Sequence, residues 1–375
     1  MNIVGLICEY NPLHNGHVYH FNEVKEKSKA DAIIVSMSSY LTQRGDLAIL
    51  DKFTRAKLAL EMGIDLIIEC PSILSMNEAA IFAAAHINNL NMLCVSEIWI
   101  GSEKNDPSIY PIYDKFVNSN SFKVSVKDKI SKGLSPKMAY RQAFIDNKVE
   151  PLMSNDLLGL FYYQAIQKIN PSIKLKTIKR TNSFASKEFN SSTIQSASAI
   201  RHNLSQAIDF VPPYVLPHLK NAFDINKVIP FINYNLIIKN NIDQLIESNE
   251  GIENRLSFNS LDNFDDVVYK ISTKRYSEGK IKRLLMDVLF NLTKKDLSSC
   301  LNEHNFVRVL GFNDKGQQLL NARKKDCKIY TNIRDGINHS LDIELRISRI
   351  LDLIYKTNLF VQEQKGPINR VEERK

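Results

Sequence analysis

Two histidines three residues apart, His14 and His17, flank Gly16 directly after a short apolar run and an Asn-Pro turn. The run Ile3-Val4-Gly5-Leu6-Ile7-Cys8 reads as a strand, Asn11-Pro12 as the turn, and the residues from Asn15 onward as an amphipathic helix. A helix starting there aims its first free N–H groups and the positive end of its dipole at the turn, where a phosphate is best held. The spacing puts both imidazoles on one face of the first turn. Gly16 has no side chain, so a flat ligand such as a nucleobase can lie against the backbone. Two imidazoles on the phosphate side can donate to a triphosphate and stabilise charge building on the α-phosphate during attack, which is adenylyl-transfer chemistry.

Other uses of His14, His17 and His20 are metal ligation and plain surface positions on a helix. Zinc asks for three or four protein ligands, and no paired Cys or His cluster lies downstream. No protein-held metal is therefore expected.

The elements that must position these residues repeat. Asp31-Ala32-Ile33-Ile34-Val35-Ser36-Met37, Ile64 to Glu69, Val95 to Ile100 and Pro171 to Ile178 are further strands, separated by helical patterns at Asp51 to Met62, Asn77 to Leu90 and Leu157 to Ile169. Strands alternating with helices imply βαβ units and a parallel sheet. The loops at strand ends carry Arg44, Gly101-Ser102-Glu103 and Lys179-Arg180, and the carboxyl rim of such a sheet is where ligands bind. Ser154 or Asn155 can cap the helix that follows, and Ser196 or Ser198 the next. An alternative use of the second start is to hold a pyrophosphate with its hydroxyls and Arg201. Phe184 to Ser198, rich in Ser and Asn, reads as a flexible loop.

Pro212, Pro213 and Pro217 mark the expected boundary between residues 1–208 and 209–375. Beyond it no βαβ alternation is legible. Helical patterns at Ile229 to Glu247, Lys280 to Leu292 and Leu341 to Lys356 predict a mainly α-helical second domain, with Leu359 to Lys375 as a loose tail. Lys274, Arg275, Lys280, Lys282 and Arg283 cluster around Tyr276, a composition that suits an RNA backbone or a solvated helix start.

Composition bounds the class. With 44% hydrophobic and 24% charged residues in 375, the chain can build two cores. No apolar run reaches a membrane span and no signal core follows Met1, so a cytoplasmic protein is expected. Five scattered cysteines indicate free thiols in a reducing compartment. The net charge of +8 is compatible with a polyanionic partner, discounted by an overall abundance of Asn, Lys and Ile.

Read together, Glu9-Tyr10-Asn11-Pro12-Leu13-His14-Asn15-Gly16-His17, Gln43-Arg44-Gly45, Asp51-Lys52-Phe53-Thr54-Arg55-Ala56, Gly101-Ser102-Glu103, Ser154-Asn155-Asp156, Ile178-Lys179-Arg180 and Ser196 to Arg201 stand in the order of a known family. The chain resembles the bacterial tRNA(Met) cytidine acetate ligases, within the HxGH nucleotidyltransferase superfamily. The resemblance implies a Rossmann-like catalytic domain followed by a tRNA-binding helical one. The implied reaction activates acetate with ATP as acetyl-adenylate, then acetylates N4 of the wobble cytidine of elongator tRNA(Met). It further implies ATP binding by Ile7, Cys8, Glu9, Tyr10, Asn11, Pro12, Leu13, His14, Asn15, Gly16, His17, Val18, Tyr19 and His20, with Gly101, Asn155 and Arg180. His14, His17 and Arg180 would be catalytic, and Mg2+ would be held mainly by the triphosphate. The chain departs from the family at Ser38-Ser39-Tyr40-Leu41-Thr42 and at Thr181-Asn182-Ser183-Phe184. Competing functions are an adenylyltransferase for a small phosphorylated metabolite and a non-catalytic RNA-binding relative.

Overall fold

The computed structural model describes residues 1–180, 194–238, 241–249, 251–256 and 263–367. Of the Ser- and Asn-rich loop expected over Phe184 to Ser198, residues 184–193 lie outside the described residues, as do the departure at Thr181 to Phe184 and the last residues of the tail, while Ala197 and Ser198 are already helical.

The chain begins β1 (Ile3–Cys8), α1 (Asn15–Ser28), β2 (Ala32–Ser38), α2 (Lys52–Met62), β3 (Leu66–Cys70), α3 (Ser72–Ser75), α4 (Ala79–Met92) and β4 (Glu97–Ser102). Three helices, α5 (Ile109–Val117), α6 (Asn120–Ser131) and α7 (Pro136–Asp146), are inserted before α8 (Ser154–Ile169) and β5 (Lys174–Lys179). Then come α9 (Ala197–His202), α10 (Leu216–Leu219), α11 (Ile229–Ile238), α12 (Phe264–Ile271), α13 (Glu278–Phe290) and α14 (Lys294–Glu303). The remainder is β6 (Phe306–Phe312), α15 (Asp314–Arg323), β7 (Lys328–Tyr330), α16 (His339–Tyr355) and α17 (Leu359–Lys365).

One seven-stranded sheet runs in the order β5-β4-β1-β2-β3-β6-β7. β1 to β5 pair in parallel with one another, β6 lies antiparallel to β3, and β7 is parallel to β6. From β1 the chain winds outward through β2 and β3, then returns to place β4 on β1's other side. The switch point is between β1 and β4, and a ligand crevice opens there beyond the carboxyl ends of the strands.

Side chains of the central strands alternate between two cores. Ile33, Val35 and Met37 join one with Phe21, Leu58, Leu285 and Ile347, while Ala32 and Ile34 join the other with Ile87, Leu160 and Leu319. Helices dominate the second half of the chain, but β6-α15-β7 is a βαβ unit that the sequence pattern did not reveal. Phe306 to Phe312 alternates Val and Leu with Arg308 and a glycine, which weakens the apolar signal of a fully buried strand.

The end of the chain also departs from expectation. Leu359–Lys365 is helical, and Glu363 is fully buried. Lys52 Nζ lies 2.5 Å from Glu69, 2.6 Å from Glu363 and 3.3 Å from Glu344, with Arg308 3.5 Å from Glu363 and 3.8 Å from Glu69. Five charges from five elements meet with no solvent access, so the tail is anchored by burial of its charge against two cations. The helical pattern from Ile229 is likewise shorter than expected, α11 ending at Ile238.

Candidate active site

Between β1 and α1 the chain turns through Glu9 to His14. Tyr10 adopts φ 47°, a left-handed conformation that costs a bulky residue about 1–2 kcal/mol, and the Asn11-Pro12 peptide is cis. Tyr10 is buried, and its ring meets that of His17 edge-on with centroids 5.0 Å apart. Asn11 is pinned at both ends. Its side-chain oxygen accepts from the Ile49 amide at 2.9 Å, and its carbonyl accepts from Arg201 at 2.7 Å. Arg55, fully buried, donates to the carbonyls of Glu9 at 2.7 Å, Leu50 at 2.9 Å, Ser38 at 3.0 Å, and Ser39. One guanidinium thus ties the carboxyl ends of β1 and β2 together.

His14 is the N-cap of α1. Its Nδ1 accepts from the Gly16 amide at 3.0 Å, and its own amide donates to Nδ1 of His17 at 3.2 Å. The two rings lie 3.9 Å apart, tilted by 33°. A ring nitrogen that accepts carries no proton, so each neutral imidazole keeps its hydrogen on Nε2. Burial, aided by the positive charges of Arg180 and Arg201, pushes His14 down to about 3. Burial, then His14, His20 and Arg180, holds His17 well below the usual histidine range, and burial with Arg180 brings His20 to about 4. These rings are neutral donors at physiological pH.

The first amides of α1 are not free as expected. That of Asn15 donates to the Phe210 carbonyl at 2.9 Å and that of Gly16 to the His14 ring. Anion recognition therefore falls to side chains. Gly16 is needed for a different reason too: a Cβ there would lie 2.8 Å from Cε1 of His14 and 3.1 Å from Cγ2 of Ile194. Its space is filled by the folded-back imidazole.

Across the switch point, Gly101 pairs in register with Ile178. A Cβ on Gly101 would stand 3.3 Å from Cγ of Arg180, so the arginine stem lies across the glycine. Arg180 Nε is 4.0 Å from Glu103. The same carboxylate accepts from the Asn155 side chain, the Asn155 amide at 3.3 Å and the Asp156 amide at 3.0 Å. Glu103, not Ser154 or Asn155, therefore satisfies the start of α8, whose N-cap Met153 offers no side-chain bond. Gly101, Glu103, Asn155 and Arg180 form one contiguous group.

The rest of the Ile7 to His20 segment is tied into the fold around these rings. Ile7, Val18 and Tyr19 pack on the cores, Pro12 and Leu13 are buried, and burial pushes the Cys8 thiol up to about 12. The Asn15 side chain donates to the Asp209 carbonyl at 2.9 Å. Glu9 accepts from the Gln43 amide at 2.8 Å, while burial raises its carboxyl.

Ser196 caps α9 through the Ala199 amide at 3.1 Å. Arg201 is held by the Asn11 carbonyl and by Asp46 at 3.4 Å. Asp46 also pairs with Lys282 at 2.7 Å, Arg283 pairs with Glu247, and Lys280 donates to Asn249. Lys274 and Arg275 are exposed. Sequence reasoning missed Glu103 as a cap, Asp46 as a bridge and Arg55 as a carbonyl clamp; an arginine and a lysine on the inward face of α2 were the available signal. Among the described residues no group of three or more His, Cys, Asp or Glu could hold a metal, and no helix is long and apolar enough to cross a membrane.

A switch-point crevice with two neutral histidines on the first turn of α1 and an arginine at the end of β5 defines a nucleotidyltransferase-type site. The sequence model of the HIGH nucleotidyl transferases matches residues 1–366. A tRNA(Met) cytidine acetate ligase from Staphylococcus haemolyticus is 36% identical, over 94% of this chain and 95% of its own, and that from Oceanobacillus iheyensis is 34% identical over 98% and 100%. The crystal structure of Thermotoga maritima TmcAL bound with alpha-thio ATP superposes with a TM-score of 0.83 at 25% identity, over 95% of each chain. The chain belongs to the HIGH nucleotidyl transferase family, among its tRNA(Met) cytidine acetate ligases.

Proposed function

We propose that this chain activates acetate with ATP at the β1/β4 switch point and transfers the acetyl group to N4 of the wobble cytidine of elongator tRNA(Met). The names of its relatives and the ATP analogue bound by the Thermotoga maritima protein support the reaction class. The observation that carries the mechanism is the pair of imidazoles whose Nδ1 atoms are both occupied by backbone amides. Each ring then has one polar hydrogen, on Nε2, to offer a phosphate oxygen, in a fixed tautomer and without reorganisation during the reaction.

In the first step an acetate oxygen bonds to the α-phosphorus and the bond to the bridging oxygen breaks, releasing pyrophosphate. His14 and His17 stabilise the charge on the α-phosphate, and Arg180, held across Gly101, supplies the positive charge that the neutral histidines lack. In the second step the cytidine amine attacks the acetyl carbonyl and AMP leaves. Glu103 keeps Asn155 and Arg180 in one arrangement. The nearby carboxylates are engaged, Glu9 by Gln43 and Glu103 by α8, so Mg2+ would arrive with the triphosphate. Division into a catalytic part, 1–208, and a tRNA-binding part, 209–375, belongs to this reading, as does a cytoplasmic setting shared with the tRNA.

Acetate-dependent release of pyrophosphate from ATP, before any tRNA is added, tests the first step. A stable adenylylated metabolite released instead would assign the chain to small-molecule adenylyl transfer.

A further inference from the structure

Much of the chain's positive charge sits in the helical insertion between β4 and α8. From Ile109 to Lys148 there are seven lysines and one arginine against three aspartates, an excess of five in a chain whose net charge is +8. The aspartates are not evenly shared. Asp146 lies 2.7 Å from Lys129, and Asp128 lies 2.8 Å from Lys132 and 3.6 Å from Lys129. Among the described residues, Lys137 and Arg141 form no ion pair, and both are exposed.

Lys137 stands in the first turn of α7, an eleven-residue helix with no acidic residue in that turn. A cation at the positive end of a helix dipole is unfavourable. Further cations are brought to it from elsewhere in the chain. The Ser135 amide, at the N-cap of α7, donates to the carbonyl of Lys274 at 3.0 Å, so the exposed Lys274 and Arg275 stand beside the helix start. A few residues on, the chain runs under the 43–46 loop: a Cβ on Gly279 would lie 3.7 Å from the Arg44 carbonyl, and one on Gly45 only 2.4 Å from the Arg283 nitrogen. The loop is locked there by the Asp46 pairs to Arg201 and Lys282. Desolvation by the surrounding protein and the positive charges of Arg44 and Arg141 pull Lys137 below the usual lysine value. The other end of the loop touches the site, through the Gln43 amide on Glu9.

We propose that this edge, where the start of α7, the 273–279 segment and the Arg44 loop meet, is the surface on which the tRNA phosphate backbone rests, with Lys137, Arg141, Lys274 and Arg275 as its ligands and Arg44 at the end nearest the active site. The proposal rests on the reading of the chain as a tRNA-acting enzyme. It moves the backbone contact away from Lys282 and Arg283, whose charges are matched by Asp46 and Glu247, and onto an insertion in the catalytic half. Lys137 and Arg141, with no ion pair among the described residues and no acidic residue in the first turn of α7, are costly in the free protein, and a run of phosphates would relieve that cost.

The test is binding of an elongator tRNA(Met) transcript to the full chain carrying Lys137→Ala, Arg141→Ala and Lys274→Ala, over about 50 to 200 mM salt. All three side chains are exposed and make no ion pair among the described residues, so ATP affinity should match the parent protein and the melting temperature should not fall. The expected result is a Kd weakened about tenfold or more at the low-salt end and a log–log salt slope shallower by about 2. A second variant, Lys123→Ala with Lys127→Ala on another part of the insertion, should bind within about twofold of the parent, since its charges lie outside the patch. Unchanged affinity and slope in the triple variant, or an equal loss in the control variant, would overturn the surface while leaving the ligase reading intact. A parent protein that binds ATP but no tRNA at any salt would overturn the ligase reading and the surface with it.

Discussion

The main-chain amide of His14 donates to Nδ1 of His17 at 3.2 Å, while the Nδ1 of His14 accepts from Gly16. This reciprocal cap makes the two histidines both the start of α1 and the donors of the site. Replacing His17 by alanine removes an Nε2 donor along with half of the cap. Acetate-dependent turnover should fall by about 10²-fold or more, with tRNA affinity retained. Loss of tRNA binding at unchanged turnover per bound tRNA would remove His17 from the chemistry.

The same geometry sets the pH dependence. His14 is held at about 3 and His17 also far below its usual range, so neither gains or loses a proton near neutrality. The turnover profile should show no inflection near pH 6.5 from these rings, the value of a free histidine being about 6.5. An acid limb centred there and abolished in His17→Asn would show that the imidazolium, not the neutral ring, takes part.

Glu103 offers a way to disturb the far side of the crevice without touching either histidine. Glu103→Gln removes the charge facing Arg180 and weakens the bonds to the α8 amides, each worth about 1 kcal/mol. KM for ATP should rise severalfold while kcat changes less, and stability should drop by about 1–2 kcal/mol. A lower kcat at unchanged KM would mean that Glu103 acts on the reaction itself.

The buried cluster around Lys52 has its own signature. Three carboxylates face two cations, and burial, opposed mainly by Lys52, raises Glu344 to about 7. An acid whose folded value lies above its unfolded one, about 4.3, holds its proton more tightly when folded, so stability falls as pH rises through that window. Glu344→Gln should remove this loss, and its stability relative to the parent should improve by up to about 1.4 kcal/mol per pH unit between roughly pH 5 and 7. Parallel unfolding profiles for the two proteins would contradict the assignment.

The sheet and the site were legible in the sequence to different depths. The apolar runs at Ile3 to Cys8 and Ala32 to Met37 announced buried parallel strands, and Asp51 and Gly63 marked both ends of α2 as they stand. β6 escaped because Arg308, serving the buried ion cluster, interrupts its apolar run. α17 escaped because Glu363, a polar residue in a polar tail, is held by Lys52 more than three hundred positions earlier. The same limit explains Glu103, Asp46 and Arg55. Local pattern shows that a residue is charged and near a strand end; which distant backbone or partner it meets is a property of the topology.

The most direct test of the central claim is transfer of labelled acetate to purified elongator tRNA(Met) by the full chain with ATP, beside a tRNA whose wobble cytidine is replaced. Label should enter the first tRNA only, and only with ATP present. Folded protein that binds ATP and tRNA yet transfers no acetate, or that labels both tRNAs equally, would contradict the account.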